Sequence, residues 1–349
     1  DAAGLLARLS RRLESRARSP RALFSTVFWV SAAATVVLNN DSAVMVLTPL
    51  AVGLARRRYP GRPELAAPFA FAVFLASGVA PLVISNPMNM IAAEYGGIRF
   101  NDYAARVIPI WLASTAMTYI VAHALFRRVL CDRIIFAGAN DAPASRSRPP
   151  AQPGARAILA LLAVVLAAYP IVTGLGGPVW AVAAAGAALA IAVARRHRIG
   201  RASLIARAVS FDILIFLWAV SVVGIGLRKV GLVGHLGALY ASAGGGARAA
   251  LVCGVSSLGS AALNNHPMSI LNMMALEAVP HAGWRETLAA LIGGDLGPRL
   301  LPMGSLAGLI WLESLRRLRV VVSLGAFLRI GALVALPALA AALAVLLAE

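Results

Sequence analysis

Two clusters of polar side chains interrupt long apolar stretches of this sequence, and each joins two adjacent asparagines to one titratable residue. The clusters are Asn39, Asn40 and Asp41 within residues 22–55, and Asn264, Asn265 and His266 within residues 249–279. Amides donate and accept hydrogen bonds, while a carboxyl group or an imidazole can take up and release a proton. These residue types indicate binding of a small polar solute, with Asp41 and His266 as candidates for ion coupling.

Each of these residues also has a purely structural interpretation. The asparagines could cap broken helix ends, Asp41 could be a buried hydrogen-bonded acid, and His266 could be a satisfied core histidine. Unpaired polar groups are costly inside a bilayer, so the side chains need partners in either case. Because the Asn-Asn pair occurs twice, we favour a binding role for the asparagines.

Two further polar clusters surround prolines inside apolar stretches. They are Ser85-Asn86-Pro87-Met88-Asn89 and Pro302-Met303-Gly304-Ser305. Proline opens a helix, and opened backbone is tolerated in a membrane only where it is buried in protein or faces a wet cavity. The positive ends of the resulting half-helices suit an anion or the lone pairs of a neutral oxyacid, with a simple kink as the alternative.

One acid and one base stand four residues apart in the segment GGDLGPR, at Asp295 and Arg299. The structural interpretation is an ion pair across one helical turn. In the functional interpretation, Asp295 takes part in coupling and Arg299 tunes it. Glycine and proline between them favour a break in the helix at this point.

Motifs for covalent chemistry are missing from the sequence. It contains no HExxH, GxSxG or Walker motif, and Gly224 and Gly226 lie within an apolar span rather than after a strand. Cys131 and Cys253 are far apart, and a lone cysteine binds a thiophilic metalloid poorly. We therefore expect no catalytic residue, no metal site and no cofactor.

The composition indicates an all-α polytopic membrane protein. Of 349 residues, 60% are hydrophobic and 13% are charged, and the mean hydropathy is +0.81. The net charge is +18, yet the arginines lie between long uncharged segments, as in the cytoplasmic loops of membrane proteins. This pattern indicates a bilayer rather than nucleic acid as the partner.

The two Asn-Asn stretches are too long for one span and too short for two. We predict that each is a re-entrant hairpin of two short helices meeting at the polar cluster, followed by a broken helix over 65–93 or 287–313. Other predicted elements are a surface helix at 4–14, a linker at 139–154, and spans at 107–126, 157–175, 178–194, 209–227 and 330–348.

The two hairpins also resemble each other in sequence. VVLNNDSAVMVLTPL at 36–50 resembles AALNNHPMSILNMMA at 261–275. The distribution of arginines indicates that the two hairpins open to opposite faces of the membrane. We predict an inverted-repeat secondary transporter with repeats at 1–135 and 207–349 and two connecting spans within 136–206. Because span 209–227 has no mate in the first repeat, we expect N-terminal helices to be missing.

Four strings in the sequence resemble the bacterial arsenite/antimonite efflux permeases of the ion transporter superfamily. They are LNNDSAVMVLTP, PLVISNPMNMI, LNNHP and GGDLGPRLLPMGSLAGLIWL. The resemblance implies a multi-pass protein of the bacterial inner membrane that extrudes trivalent arsenite and antimonite. Export would take place either in exchange for protons or with a soluble arsenite-stimulated ATPase. The protein could also form a homodimer.

By this resemblance, the hairpin tips and broken helices form the site. The resemblance maps the substrate-binding residues onto Asn39, Asn40, Ser85, Asn86, Asn89, Asn264, Asn265, Gly304 and Ser305, with Asp41 in the same site. The coupling residues Asp41, Asp295 and His266 are predicted from their titratable side chains, not from the resemblance. A sodium-coupled carboxylate or other anion permease of the same superfamily is the alternative. An intramembrane enzyme and an inert truncated product are more remote ones.

Overall fold

The computed structural model describes residues 19–131, 155–196 and 211–349. Every regular element in these ranges is helical, which confirms the predicted all-α class. The predicted surface helix at 4–14 and linker at 139–154 lie outside the described residues.

The described residues form fourteen α-helices. In chain order these are α1 Pro20–Val37, α2 Asn40–Arg58, α3 Ala66–Ala76, α4 Pro87–Tyr95, α5 Phe100–Phe126, α6 Ala155–Gly174, α7 Val179–Arg196, α8 Phe211–Lys229, α9 Leu232–Ala241, α10 Gly245–Leu263, α11 Asn265–Glu277, α12 Trp284–Leu296, α13 Leu306–Arg317 and α14 Leu324–Ala348. Short 3-10 turns lie at Pro63–Leu65, Val83–Ser85, Gly297–Arg299 and Pro302–Gly304.

Six of these helices, α1, α5, α6, α7, α10 and α14, are long and apolar enough to cross a membrane. A seventh span is possible where the second half of α8 meets α9 at an angle of 75°. The bend lies at Gly231, whose φ of +83° favours glycine. The prediction of a multi-pass membrane protein is confirmed.

The chain divides into two compact units. Of the described residues, the first includes 155–196, in which α6 packs against α7. Gly186 of α7 permits a close approach, because an added Cβ would lie 2.9 Å from a methyl group of Val165. The second unit comprises residues 24–129 and 211–349 and holds every candidate site residue.

Both Asn-Asn clusters break a helix, as predicted. The first helix pair is interrupted between Val37 and Asn40, and the second at Asn264. At each break an asparagine side chain caps the following helix: Asn39 accepts from the backbone N–H of Ser42 at 2.8 Å, and Asn264 from that of His266 at 3.2 Å. Asn40 and Asn265 thus begin their helices directly after the cap.

The two predicted broken helices also share one design. In the first, irregular backbone separates α3 from one 3-10 turn, whereas in the second α12 runs directly into a 3-10 turn that is followed by another. In both, a second helix (α4 or α13) begins after the last 3-10 turn. The second helix starts from an extended polar residue in both cases, Asn86 at φ −155° or Ser305 at φ −149°. Each of these side chains accepts a hydrogen bond from its own helix, from Met88 N or Gly308 N.

The helices of the two halves pack reciprocally. The helix after the first break, α2, packs on α13 of the second half, while α11 after the second break packs on α4 of the first half. The long helices α5 and α14, which close the two halves, pack on each other. This exchange brings both helix breaks towards the middle of the unit.

An aromatic core from both halves supports this centre. Trp311 of α13 stacks on Phe74 of α3 with ring centroids 5.0 Å apart, and its indole N–H donates to the carbonyl of Ala70 at 3.0 Å. Phe71 and Phe327 complete the cluster, and all four side chains are buried. The apolar packing fixes the end of α3, where the irregular backbone begins.

Candidate functional site

A narrow polar cavity lies where the two helix breaks meet the two broken helices. Its empty volume is about 390 Å³, counting the part that is open to solvent. The cavity is lined by seven predicted site residues: Asn40, Asp41, Asn86, Asn265, His266, Asp295 and Ser305. Residues from both halves of the chain therefore share one chamber.

The first helix break supplies an amide and a carboxylate. Asn40 is 9% exposed, and its Nδ2 donates to the carbonyl of Gly78 at 3.1 Å, in the irregular backbone after α3. Asp41 lies in the first turn of α2, and its carboxylate interacts with the backbone N–H of Ala307 at the start of α13. Asp41 thus faces the positive ends of two helices, which favour an anion.

The second helix break supplies Asn265 and His266, both buried. Their position is fixed by Asn264, whose Nδ2 donates to the carbonyl of Met303 at 3.2 Å. This contact ties the break to the broken helix of the same half. The first half is tied in a similar way, because Ser85 Oγ donates to the carbonyl of Val36 at 2.7 Å.

A direct hydrogen bond joins the two halves inside the cavity. Asn86 Nδ2 of the first half donates to Asp295 Oδ1 of the second half at 3.1 Å, although the two residues are 209 positions apart. The other carboxylate oxygen, Asp295 Oδ2, is buried and accepts no hydrogen bond from any described residue. The contact places the second acid of the site beside the polar cap of α4.

Three buried oxygen atoms of the cavity-lining residues lack a donor within the described part of the chain. They are Asn40 Oδ1, Asn265 Oδ1 and Asp295 Oδ2. Buried polar atoms are almost always hydrogen-bonded, and each exception calls for an explanation. Since all three are acceptors when Asp295 is ionised, the site in that state is matched to a ligand that carries several hydrogen-bond donors.

Arg299 also lines the cavity, but its guanidinium group is engaged elsewhere. Nη1 donates to Thr118 Oγ1 at 3.0 Å, and Nη2 donates to the carbonyls of Leu75 and Ser77 at 2.7 and 2.9 Å. The ion pair with Asp295 that the spacing allows is not among the ion pairs of the described residues. The helix ends between the two residues, at Leu296, so the geometry of one helical turn is lost.

The other five predicted binding residues lie outside the cavity lining. Asn39 and Asn264 cap helices, Ser85 holds the end of α1, and Asn89 Nδ2 donates to the carbonyls of Ala80 and Leu82 at 3.2 and 3.0 Å. Gly304 allows close packing, since an added Cβ would lie 2.7 Å from the Cα of Pro298. These contacts shape the backbone around the chamber.

Sequence reasoning missed Ser77 and Gly78, which line the cavity directly after α3. Both are small, and the carbonyl groups of both accept hydrogen bonds from site residues, from Arg299 and Asn40 respectively. The available signal was the pair of small residues just before Pro81, inside an otherwise apolar stretch. Backbone carbonyls leave no mark of their own in a sequence.

The two capping asparagines differ in backbone geometry, and this difference gives a stability prediction. Asn264 has φ +81° and ψ 146°, a region that is nearly restricted to glycine, whereas Asn39 has an ordinary φ of −74°. Asn39→Ala should remove only a cap, at about 1 kcal/mol. Asn264→Ala should also leave a strained backbone, at about 2–3 kcal/mol in total.

Thermal unfolding of both variants in detergent measures this difference, with Asn264→Gly as the matched control. Glycine adopts the φ of Asn264 without strain, so Asn264→Gly should recover most of the loss. Equal melting temperatures for Asn264→Ala and Asn39→Ala would show that the positive φ carries no cost.

The fold combines apolar spans with a polar chamber, and each half of the chain contributes two interrupted helices to that chamber. This combination is typical of a multi-pass membrane transporter. A family model described as "Arsenical pump membrane protein" matches residues 15–348. The chain therefore belongs to the arsenical pump membrane protein family. This membership confirms the predicted family. It also confirms that the protein is a transporter rather than an enzyme, and that it belongs to the bacterial inner membrane.

Individual relatives agree with the family match. A protein of Escherichia coli (strain K12) named "Arsenical pump membrane protein" is 31% identical over 333 residues, covering 93% of this chain and 77% of that protein. A protein of the same name from Yersinia enterocolitica is 30% identical over 340 residues, with the same coverage. An uncharacterized transporter of Mycobacterium tuberculosis is 27% identical over 333 residues, covering 91% and 75%.

Proposed function

We propose that this chain exports trivalent arsenite and antimonite as neutral trihydroxides, in exchange for protons. The observation that carries the proposal is the set of three buried acceptors in the cavity: Asn40 Oδ1, Asn265 Oδ1 and Asp295 Oδ2. A trihydroxide offers three O–H donors and no charge, so it can supply a donor to each acceptor. The family and its named relatives support the choice of arsenic and antimony.

The same acceptors disfavour a carboxylate substrate. A carboxylate is ionised near neutral pH and can only accept hydrogen bonds, so it would face three acceptors, one of them on Asp295, and the further acid Asp41. The cation that lines the cavity, Arg299, has both terminal nitrogens bonded to protein oxygens. Its Nε is buried and has no acceptor among the described residues, so the lining carries one unpartnered N–H against three unpartnered oxygens.

Proton coupling is assigned to the two acids of the chamber. Asp41 lies at the first helix break and Asp295 at the second broken helix, and both line the cavity. A carboxyl group alternates between a charged and a neutral form, so proton uptake at one face and release at the other can accompany solute movement. His266 in the same lining is the third titratable group of the proposal.

Transport into everted membrane vesicles tests this proposal. Vesicles from bacteria that lack their own arsenite exporter, and that contain this protein, should accumulate arsenite when the lumen is acidic. Arsenite should also dissipate the pH gradient, as read with a pH-sensitive dye. The assay contains no added ATPase, so it also shows whether the protein works without the soluble ATPase that the resemblance allows.

Two substrates separate the proposal from its alternative. Succinate or citrate with sodium should neither accumulate in the vesicles nor change the gradient. If the vesicles accumulate a dicarboxylate with sodium and ignore arsenite, the carboxylate permease replaces our proposal. Light scattering of the purified protein answers the separate question of a homodimer.

A further inference from the structure

The guanidinium group of Arg299 is buried in a set of oxygen atoms that belong to the other half of the protein. Arg299 comes from the 3-10 turn after α12 and is 4% exposed. Its three terminal contacts, to Leu75 O, Ser77 O and Thr118 Oγ1, lie 222 to 224 and 181 residues away in sequence. A charged side chain is thus held deep inside the unit by neutral oxygens.

Two of these oxygens belong to backbone carbonyls at the carboxyl end of α3. Leu75 lies in the last turn of α3, and Ser77 is the residue that follows the helix. Carbonyls at such a position have no partner within their own helix and carry the negative end of its dipole. In membrane transporters, the carboxyl ends of half-helices and unwound carbonyls are sites where coupling cations bind.

The surrounding backbone is shaped for the guanidinium group. Gly78 lacks a Cβ at the one place where it would meet Arg299, because an added Cβ would lie 2.7 Å from Nη2. On the other side, Gly331 of α14 packs against the carbonyl of Arg299 itself. Small residues therefore flank the arginine at both its head group and its backbone.

The repeated architecture does not by itself require a charge at this position. Leu82 and Leu301 each precede the 3-10 turn that leads into the second helix of their half. When the two halves are aligned on these leucines, Ala80 is the counterpart of Arg299, two residues earlier. Ala76 is the counterpart of Asp295, six residues earlier. The arginine is a feature of one half only, and it reaches across to the broken helix of the other.

We propose that Arg299 is a tethered cation that fills a cation-binding site formed by the carbonyls of Leu75 and Ser77, and that it makes transport independent of sodium or any other alkali-metal ion. The inference rests on the proposed exchange of arsenite for protons, and it identifies the residue that sets the coupling ion. Without the guanidinium group, the same carbonyls are expected to accept a free cation.

Arsenite uptake into everted vesicles, measured with choline, sodium or millimolar guanidinium as the cation, tests this proposal. The parent protein should transport at one rate in all three. Arg299→Ala should lose at least about tenfold in choline and recover a substantial part of the rate when guanidinium or sodium is added. Arg106→Ala is the matched control, because Arg106 stacks on Trp284 at 3.8 Å and does not line the cavity, so it should show no cation dependence.

Two further variants keep the test decisive if Arg299→Ala does not fold. Arg299→Lys retains a positive charge that can reach carbonyl oxygens, whereas Arg299→Gln retains hydrogen-bond donors without charge. The lysine variant should transport in choline within a few-fold of the parent, and the glutamine variant should lose at least about tenfold. Equal rates for these two variants would overturn the proposal.

Thermal melting in detergent gives a readout that does not depend on transport. Guanidinium at millimolar concentration should raise the melting temperature of Arg299→Ala and leave that of the parent unchanged. If Arg299→Ala is folded but neither its melting temperature nor its transport responds to any cation, the tethered-cation role is wrong. A parent protein that does not exchange arsenite for protons would instead overturn the proposed function.

Discussion

Asp41→Asn is expected to reduce proton-driven arsenite exchange to the background of vesicles that lack the protein. Asparagine matches the size of aspartate and can still accept the interaction from the backbone N–H of Ala307, so the fold should persist. It cannot take up or release a proton, and Asp41 is the acid at the first helix break of the cavity. The measurement is arsenite accumulation and dye-reported proton movement in everted vesicles.

Asp102→Asn is the matched control for this variant. Asp102 also lies in the first turn of a long helix, α5, but it is exposed and does not line the cavity. Both substitutions remove a favourable interaction with a helix N-terminus of about 0.3–1 kcal/mol, but only Asp41 lines the cavity. If Asp41→Asn exchanges arsenite for protons at the parental rate, Asp41 is not the coupling acid, and Asp295 becomes the candidate.

Gly331→Ala is expected to destabilise the folded protein by about 3 kcal/mol or more. Helix α14 packs so closely on the turn that carries Arg299 that an added Cβ would lie 1.8 Å from the carbonyl oxygen of Arg299. That obstacle is backbone, which cannot move aside by changing a rotamer. The variant should melt well below the parent in detergent, and arsenite transport should fall because Arg299 is displaced.

A second glycine of the same helix provides the control. Gly325 of α14 has no atom within 4 Å of an added Cβ. Because alanine is favoured over glycine in a helix, Gly325→Ala should be neutral or stabilising by up to about 1 kcal/mol. A pair of variants with equal melting temperatures would contradict the close approach of α14 to the Arg299 turn.

The chemistry of the site is asymmetric although the scaffold repeats. Asp41 and His266 hold matching positions directly after the Asn-Asn pairs, so one break presents an acid and the other an imidazole. Asp295 and Arg299 have alanines at the corresponding positions of the first half. A repeated scaffold can thus bring equivalent helix ends together while each half contributes a different ionisable group.

The helix breaks and the spans at 107–126, 157–175, 178–194 and 330–348 could be predicted from the sequence alone. The structure differs at α1 and α10, which were predicted as half-depth hairpin arms but are long and apolar enough to cross a membrane. It differs also at the predicted span 209–227, of which only the second half forms a candidate span, together with α9. A bilayer offers no water to unpaired backbone groups, so polar and proline residues within an apolar stretch mark the places where a helix opens. Asn39 and Asn264 are such markers, and the structure ends a helix at each of them. The family was also recognisable, because its motifs surround these same breaks.

Only the tertiary structure decided which of two adjacent asparagines caps a helix and which lines the cavity. Asn39 caps α2 while its neighbour Asn40 lines the cavity, and Asn264 and Asn265 differ in the same way. Neighbouring residues point in different directions, and the direction that faces the chamber depends on how the helix packs. Residue type alone therefore predicted the cluster but not the member that lines the site.

The partners of Asp295 and Arg299 show the same limit over a longer range. Four-residue spacing suggested that they pair with each other, yet Asp295 accepts from Asn86 and Arg299 donates to Leu75, Ser77 and Thr118. Local sequence determined where the backbone opens, because that depends on neighbouring residues and the surrounding lipid. Which charges meet was decided by the reciprocal packing of the two halves, which brings together atoms about 200 residues apart.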